Sequence, residues 1–458
     1  MKAKNLEWRR LDNSAKIFPM SAGKKYSTVF RFSVLLKEEI NPQILEKAVK
    51  IALEKYKSFK VRMKRGFFWN YLEYNTKEPI IEQEKDYPCK YIDPKTNHNY
   101  LFKVTYFDKK INIDIFHSLT DGNSGSVFFR EIVYSYLEMA YPEEFKEELR
   151  IYRKVDYTIE DSYMKNYDKK AKGNSSTKKA YKLKGKKLHL GAVSAIHEII
   201  DLETLKEETK KCGCTITQYL TAVLIHCIYQ ANFLNSKAKF NKQNKPNKQN
   251  KPNKQNKYDE PKMKRPIKIC IPVNLKKYFP SKTISNFFSY ITLVAEIEKQ
   301  ELYTFEKILE FVKQDFAKKL TQEEIQKTMS ANVRLGTNPF IRAIPLVLKK
   351  PLVRLTYLEI RKYTTTTFSN IGRFGIIGKY KKYIDNFFML IAPEPVEKIK
   401  CSACSFENDI VFTFTSILNN SNIEQEFYKF LTQKGIRVRI ESNGVLDVIS
   451  TEIKQEKK

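Results

Sequence analysis

The residues best suited to chemistry lie in one short run, Ile111-Asn-Ile-Asp-Ile-Phe-His117-Ser-Leu-Thr-Asp121-Gly122. An alternating apolar stretch ends in His117, and an acid and a glycine follow at His-x-x-x-Asp-Gly spacing. Histidine is the side chain whose unperturbed pKa lies nearest neutral, so it can take a proton and return it near pH 7. A strand end would hold the imidazole at the mouth of a site rather than in a core. Asp121 would cap the helix that follows, or pair with an Arg, and so fix the loop that holds the histidine. Gly122 would let the backbone turn sharply without a Cβ clash. The chemistry this suits is general-base catalysis. The competing reading is an exposed loop histidine beside an N-capping aspartate.

Other reactive residues read as structural. His98 lies in a turn between Asn97 and Asn99, and His226 lies inside an apolar helix beside Cys227. Neither His189 nor His197 has a carboxylate or Cys at ligand spacing. Cys401 and Cys404 fall on a strand-like segment, where residues three apart point to opposite faces and cannot share a metal. Cys212 and Cys214 sit at a helix–helix junction without zinc-finger partners. No metal site is expected. No phosphate-binding loop, dinucleotide fingerprint or serine nucleophile elbow is present. The aromatic run Phe67–Tyr74 reads as core.

The elements that must position His117 follow from periodicity. A strand is expected over Tyr26–Leu36. Asn41-Pro42 opens a helix, with Asn as N-cap and Pro at the first position. Leu101–Phe107 and Ile111–Phe116 form a hairpin turning at Asp108-Lys109-Lys110, and a helix runs from about Ser124 to Met139. The second half opens with a strand at Ala195–Ile200, then helices from Leu202 and over Ile216–Phe233. Strands are expected at Ile267–Val273, Phe287–Ile297, Thr364–Ser369, Asn386–Ile391, Lys398–Ser405 and Ile410–Ser416. Helices fill Thr304–Leu320, Glu323–Leu335 and Ile423–Leu431, and Pro339–Arg361 with breaks at Pro345 and Pro351. Each half mixes antiparallel strands with helices, an α/β (α+β) sandwich rather than a regular βαβ alternation.

The chain has 458 residues and a formal charge of +31. That length suggests two domains, or one fold with two halves. At 42% apolar and 13% aromatic residues it is not a wholly disordered chain. Much of the charge sits in two stretches. Residues 165–187 hold ten Lys against Asp168, and residues 237–268 hold twelve basic residues against Asp259 and Glu260. The second contains an Asn-Lys-Gln-Asn-Lys-Pro repeat, which cannot bury a core and is expected to be disordered. Both read as solvated loops; a membrane-surface or nucleic-acid role is the alternative. Met1–Met20 has no apolar run of a secretory signal. The longest apolar candidate, Tyr219–Leu234, is shorter than the ~20 residues that span a bilayer. Seven Cys, an odd number, point to reduced thiols and a cytoplasmic protein.

The His-x-x-x-Asp-Gly motif resembles the active-site motif of the chloramphenicol-acetyltransferase-like superfamily of CoA-dependent acyltransferases. Further stretches resemble its bacterial alcohol acetyltransferase branch. They are Trp8-Arg-Arg-Leu-Asp12-Asn-Ser-Ala-Lys-Ile-Phe-Pro19, Phe67-Phe-Trp69-Asn-Tyr-Leu, Pro272-Val-Asn274, Asn286-Phe-Phe, Ser369-Asn370-Ile-Gly372 and Gly435-Ile-Arg-Val-Arg-Ile-Glu441-Ser-Asn443. The resemblance implies two α/β halves with mixed sheets flanked by helices and a tunnel between them. Residues 1–164 would form the first half, 165–194 a Lys-rich crossover, and 195–458 the second half with an insertion at 237–266. It makes His117 the base, Asp121 and Gly122 its structural partners, and places Asn286, Phe287, Ser369 and Asn370 near the tunnel, where a polar group would stabilise an oxyanion. It implies acyl-CoA, in the first place acetyl-CoA, as co-substrate, and a small alcohol or amine as acceptor. It also implies no tightly bound cofactor and a monomer without a transmembrane segment or nucleic-acid partner, with room for weak peripheral membrane contact. One departure is Phe116, where many relatives carry a first histidine; this weighs against peptide condensation. A non-catalytic binding protein and an amide-forming enzyme of the same fold are the alternatives.

Overall fold

The computed structural model describes residues 8–145, 157–171, 178–243, 265–296 and 304–446. The Asn-Lys-Gln repeat, expected to be disordered, lies outside the described residues from Asn244 onward. The helix expected to end at Phe233 runs from Ile216 to Gln243, so the first residues assigned to the insertion are helical.

Among the described residues the strands form three sheets. A five-stranded sheet runs in the order 384–391, 29–36, 110–116, 102–107, 81–83. A seven-stranded sheet runs 288–295, 267–274, 366–373, 399–406, 409–416, 194–201, 438–442. A small third sheet joins 8–10, 70–74 and 61–65. One strand therefore crosses over. Ile384–Ile391 belongs by sequence to the second half, yet pairs antiparallel with Val29–Leu36 of the first. The next strand, Ile399–Phe406, lies in the larger sheet beside Thr366–Arg373. The halves are interlocked, so no single cut in the sequence separates the two sheets.

Local chemistry explains the elements around His117. Asn41 caps the helix Pro42–Lys55 by accepting the N–H groups of Gln43 and Ile44, and Leu45, Ala48, Val49, Ala52 and Leu53 are buried on one face. The hairpin Phe102–Phe107/Lys110–Phe116 turns at Asp108, whose φ of 51 is a left-handed conformation that Asp tolerates better than most residues. The helix Gly122–Ala140 packs on this sheet at Gly125, where a Cβ would come within 3.0 Å of Ile115 and 3.2 Å of Phe30. Apolar residues form two cores, a first that joins the first half to the crossover strand and to the near face of the larger sheet, and a second within the second half. Cys401 faces the second core and Cys404 the first, as their alternation on one strand requires.

Several expectations need correction. Pro345 breaks the helical run, but Pro351 lies inside the helix Leu346–Ile360, on its exposed side, where water can satisfy the carbonyl that loses its N–H partner. Phe67 and Phe68 are not core: they occupy the turn between strands Val61–Arg65 and Asn70–Tyr74 and stand exposed. The described part of the Lys-rich linker is not loose. Leu188 donates its N–H to Ile417, and Lys182 donates to the carbonyl of Arg361 at 2.6 Å.

Glu198 and Glu424 are both fully buried in the second half, and both oxygens of Glu198 and Oε2 of Glu424 lack a hydrogen-bond partner. Burial pushes the Glu424 carboxyl up to about 7, and burial with the Glu424 charge raises Glu198. The folded state thus keeps protons that the unfolded chain releases, so stability falls as pH rises from the ordinary carboxyl range to about 7. We expect Glu424→Gln to raise unfolding free energy at pH 8 by about 1–3 kcal/mol and to flatten the pH dependence between pH 5 and 8. Urea titrations from pH 5 to 8 that give both proteins the same unfolding free energy at every pH would refute this.

Candidate active site

Ile111, Ile113 and Ile115 alternate into the first core and Phe116 is buried on the other face of the strand, while the His117 ring meets Asn286 and Phe288 of the second half. The His117 N–H donates to the carbonyl of Thr28 at 3.1 Å. Three aromatic rings surround the imidazole. Phe18 stacks on it at 4.5 Å and 17°, Phe30 meets it edge-on at 5.2 Å, and Phe288 lies at 5.1 Å.

The polar partner of the ring comes from the second half. His117 Nδ1 lies 3.1 Å from Asn286 Oδ1. Asn286 is itself buried, and both its Nδ2 and its backbone N–H donate to Asp12 Oδ2, at 3.1 and 3.2 Å. The other Asp12 oxygen accepts the Ala15 N–H at 2.8 Å and the Ser14 hydroxyl at 3.0 Å. An ionised carboxylate only accepts, so Asn286 must present its NH₂ to Asp12 and its carbonyl oxygen to His117. His117 then carries its proton on Nδ1, and Nε2 is left with a lone pair.

Asp121 makes a parallel link. Its Oδ1 accepts the Ser124 N–H at 2.9 Å and caps the helix Gly122–Ala140, while its Oδ2 accepts the Phe287 N–H at 2.8 Å. Asp12 and Asp121 therefore hold the consecutive N–H groups of Asn286 and Phe287. Thr120 adds a bond to the Ile284 carbonyl at 2.7 Å, and Lys276 reaches Ser124 at 3.1 Å.

Burial is the main influence on the ionisable groups. It lowers the His117 pKa below its ordinary 6.5, against smaller upward pulls from Asp121 and Asn286. It raises Asp12 to about 6, against the hydrogen bonds from Ala15 and Asn286.

Sequence reading and structure meet at His117, Asp121, Asn286 and Phe287, which are brought together. Gly122 stands beside them for another reason than expected. Its φ is not left-handed, and a Cβ there would make only ordinary contacts, 3.5 Å to Ile371 and 3.6 Å to Met389. Ser369 and Asn370 lie on the strand that ends near Gly122, but neither hydrogen-bonds His117. Asn370 donates to Thr217 at 3.1 Å and accepts the Gly372 N–H at 2.8 Å. Phe368 faces the second core, so Ser369, its neighbour, faces the side between the halves. Sequence alone assigns no role to Asp12 or Phe18. Asp12 looks like a local turn residue, and nothing in the sequence reveals a partner 274 positions away.

No family model matches this chain, and no curated protein matches it in sequence. Solved structures do. TRI101 of F. sporotrichioides, complexed with Coenzyme A and T-2, aligns with a TM-score of 0.57 at 10% identity, over 92% of this chain and 97% of that one. The starter condensation domain of rhizomide synthetase RzmA, in complex with C8-CoA, gives 0.56 at 9% identity, over 93% and 94%. Polyketide synthase associated protein 5 from Mycobacterium tuberculosis gives 0.54 at 11%, over 92% and 96%. The chain thus has the fold shared by chloramphenicol-acetyltransferase-like proteins and condensation domains, along nearly its whole length.

The link through Asp121 has a direct consequence. Asp121→Asn can accept from only one of the two N–H groups and turns an NH₂ towards the other. We expect it to lose about 1–3 kcal/mol of unfolding free energy in a denaturant titration, with a fall in any activity. Unchanged stability would show that the carboxylate does not hold the halves.

Proposed function

We propose that the protein is an O-acyltransferase that moves an acyl group from acyl-CoA to an alcohol. The observation that carries this is the contact of His117 Nδ1 with Asn286 Oδ1 at 3.1 Å, which assigns the proton to Nδ1 and leaves Nε2 as an acceptor. The fold supports it, since TRI101 and RzmA were solved with Coenzyme A and C8-CoA. In this reading Nε2 takes the acceptor hydroxyl proton as the oxygen attacks the thioester carbonyl. The tetrahedral intermediate collapses, the C–S bond breaks, and the imidazolium returns its proton to the departing CoA thiolate. An ester and free CoA thiol result. Direct transfer needs both substrates at His117 together.

Roles follow from the geometry. His117 is the base, and Asp12 and Asn286 position it. Asp121, through the Phe287 N–H, holds the loop against the second half. Ser369 is the candidate donor to the oxyanion, because it faces the side between the halves while the Asn370 amide already holds Thr217. Acetyl-CoA is the donor to test first, with a panel of small alcohols and then amines.

His117→Ala should lower kcat roughly 10²–10⁴-fold, read as thiol release from acetyl-CoA with Ellman's reagent, while the protein stays folded. Full activity of that variant would end this mechanism, and silence of the wild type with every donor and acceptor would favour a binding protein.

The pH profile is a separate test. The base works only when neutral, so kcat/KM falls as pH drops through its folded pKa, which burial sets below 6.5. Asn286 favours the protonated ring. Asn286→Ala should therefore reduce kcat by about ten-fold or more and move the acid limb lower still. A limb at or above the ordinary imidazole value, or one that does not move in the variant, would contradict these roles.

A further inference from the structure

The helix Leu346–Ile360 presents its apolar side outward. Leu346 and Lys349 are buried against the protein, whereas Val347, Leu348, Pro351, Leu352 and Leu355 are exposed. At 100° per residue those five share one broad stripe facing away from the core. Leu355 is 66% exposed, Phe340 on the preceding short helix Pro339–Ala343 is 84% exposed, and Phe67 is 70% exposed.

Phe67 and Phe68 belong to the same surface. The Phe67 carbonyl accepts the Leu346 N–H at 2.8 Å, and Lys349 Nζ donates to the Phe68 carbonyl at 3.0 Å while lying 3.5 Å from the centre of the Trp69 ring. The aromatic turn and the helix are thus fixed to each other as one raised face. A contiguous face of large exposed apolar side chains is unusual in a protein that meets only water.

The charge around it has one sign. From Asn338 to Leu358 there is no Asp or Glu, while Arg342, Lys350 and Arg354 are exposed. Lys24 and Lys25 are exposed in the loop after Phe18–Ser21, a segment packed against this helix. Glu359, at the far end, pairs with Lys362 and Lys179.

We propose that this face docks on an anionic lipid bilayer. Large apolar side chains would enter the acyl boundary, and the basic rim would meet the headgroups. A second copy of the chain fits less well, because a two-fold contact through this face would bring the same basic rim against itself. Among the described residues no single helix is long and apolar enough to cross a membrane, so the contact is one of surface docking. The Lys-rich stretches, whose sequence reads as solvated loops with a membrane or nucleic-acid role as the alternative, are not needed for it.

The test is flotation of the full-length protein with vesicles of phosphatidylcholine alone and with about a third phosphatidylglycerol, at low and high salt. The wild type should float with the anionic vesicles, more weakly at high salt. Leu352→Glu/Leu355→Glu should weaken binding at least ten-fold with unchanged melting temperature. Phe67→Ser/Phe340→Ser, on separate elements, should weaken it independently and serves if the first pair misfolds. Three results would overturn the proposal. One is no binding by the wild type. Another is full binding by both pairs, with loss only when residues 244–264 are deleted. The third is a wild-type dimer that the Glu pair turns into a monomer in sedimentation, which would make the face a subunit interface.

Discussion

The site depends on two carboxylates of the first half accepting two consecutive N–H groups of the second. Asp12 takes Asn286, and Asp121 takes Phe287. Each side of this contact solves a problem for the other. A buried N–H without an acceptor is costly, and a buried carboxylate without donors is costlier. The segment leading into Phe288–Ala295 has no strand partner at Asn286 and Phe287, so it needs acceptors there, and the first half supplies them. Because the groups meet only when the halves are docked, docking and assembly of the base are one event. The raised pKa of Asp12 is the price of the arrangement: four hydrogen bonds do not fully offset the loss of water around it.

The crossover strand serves the same end from another side. Ile384–Ile391 completes the first sheet, and Met389 on it lies beside Gly122. Ser402, in the larger sheet, donates its hydroxyl to the Met389 carbonyl at 2.5 Å. The two sheets are therefore joined by a covalent crossing and by hydrogen bonds across it, close to the loop that carries His117. A histidine at a strand end with such supports has little freedom to turn, which is what preorganisation of a base requires.

How far this was legible in the sequence depends on the range of each interaction. The cap at Asn41, the turn at Asp108 and the position of His117 at a strand end are local, and residue types reveal them. The opposite facing of Cys401 and Cys404 followed from the period of a strand. Tertiary facts were not visible. Asn286 could be flagged as near the site, but not that its amide would be oriented by Asp12 and so fix the tautomer of His117. Gly122 was given a steric role that Gly125 fills, because only the packed helix shows which glycine approaches the sheet. Asn370 carries the polarity expected of an oxyanion donor, yet its direction is set by Thr217 on another element. The strand Val438–Ser442 was missed because its alternating charges look like a solvated edge, which it is.

The exposed helix and the base are tied together by buried charge. Arg361, just beyond the C-terminal end of the helix, pairs with Glu394 at 3.2 Å and Glu397 at 3.3 Å, in the loop after the crossover strand. Lys400 meets Glu394 at 2.9 Å, and the Tyr357 hydroxyl donates to the same carboxylate at 2.9 Å. Arg361 and Lys400 hold the Glu394 carboxyl down at about 2 despite its burial. The positive charge of Lys400 also bears on the imidazole, adding to the burial that lowers its pKa. Breaking one partner of such a network leaves another charge buried and unpaired, so the loop, the helix end and the strand of Lys400 are held as one body. A load on the outer face of the helix would therefore be borne by the same elements that set the electrostatics of His117.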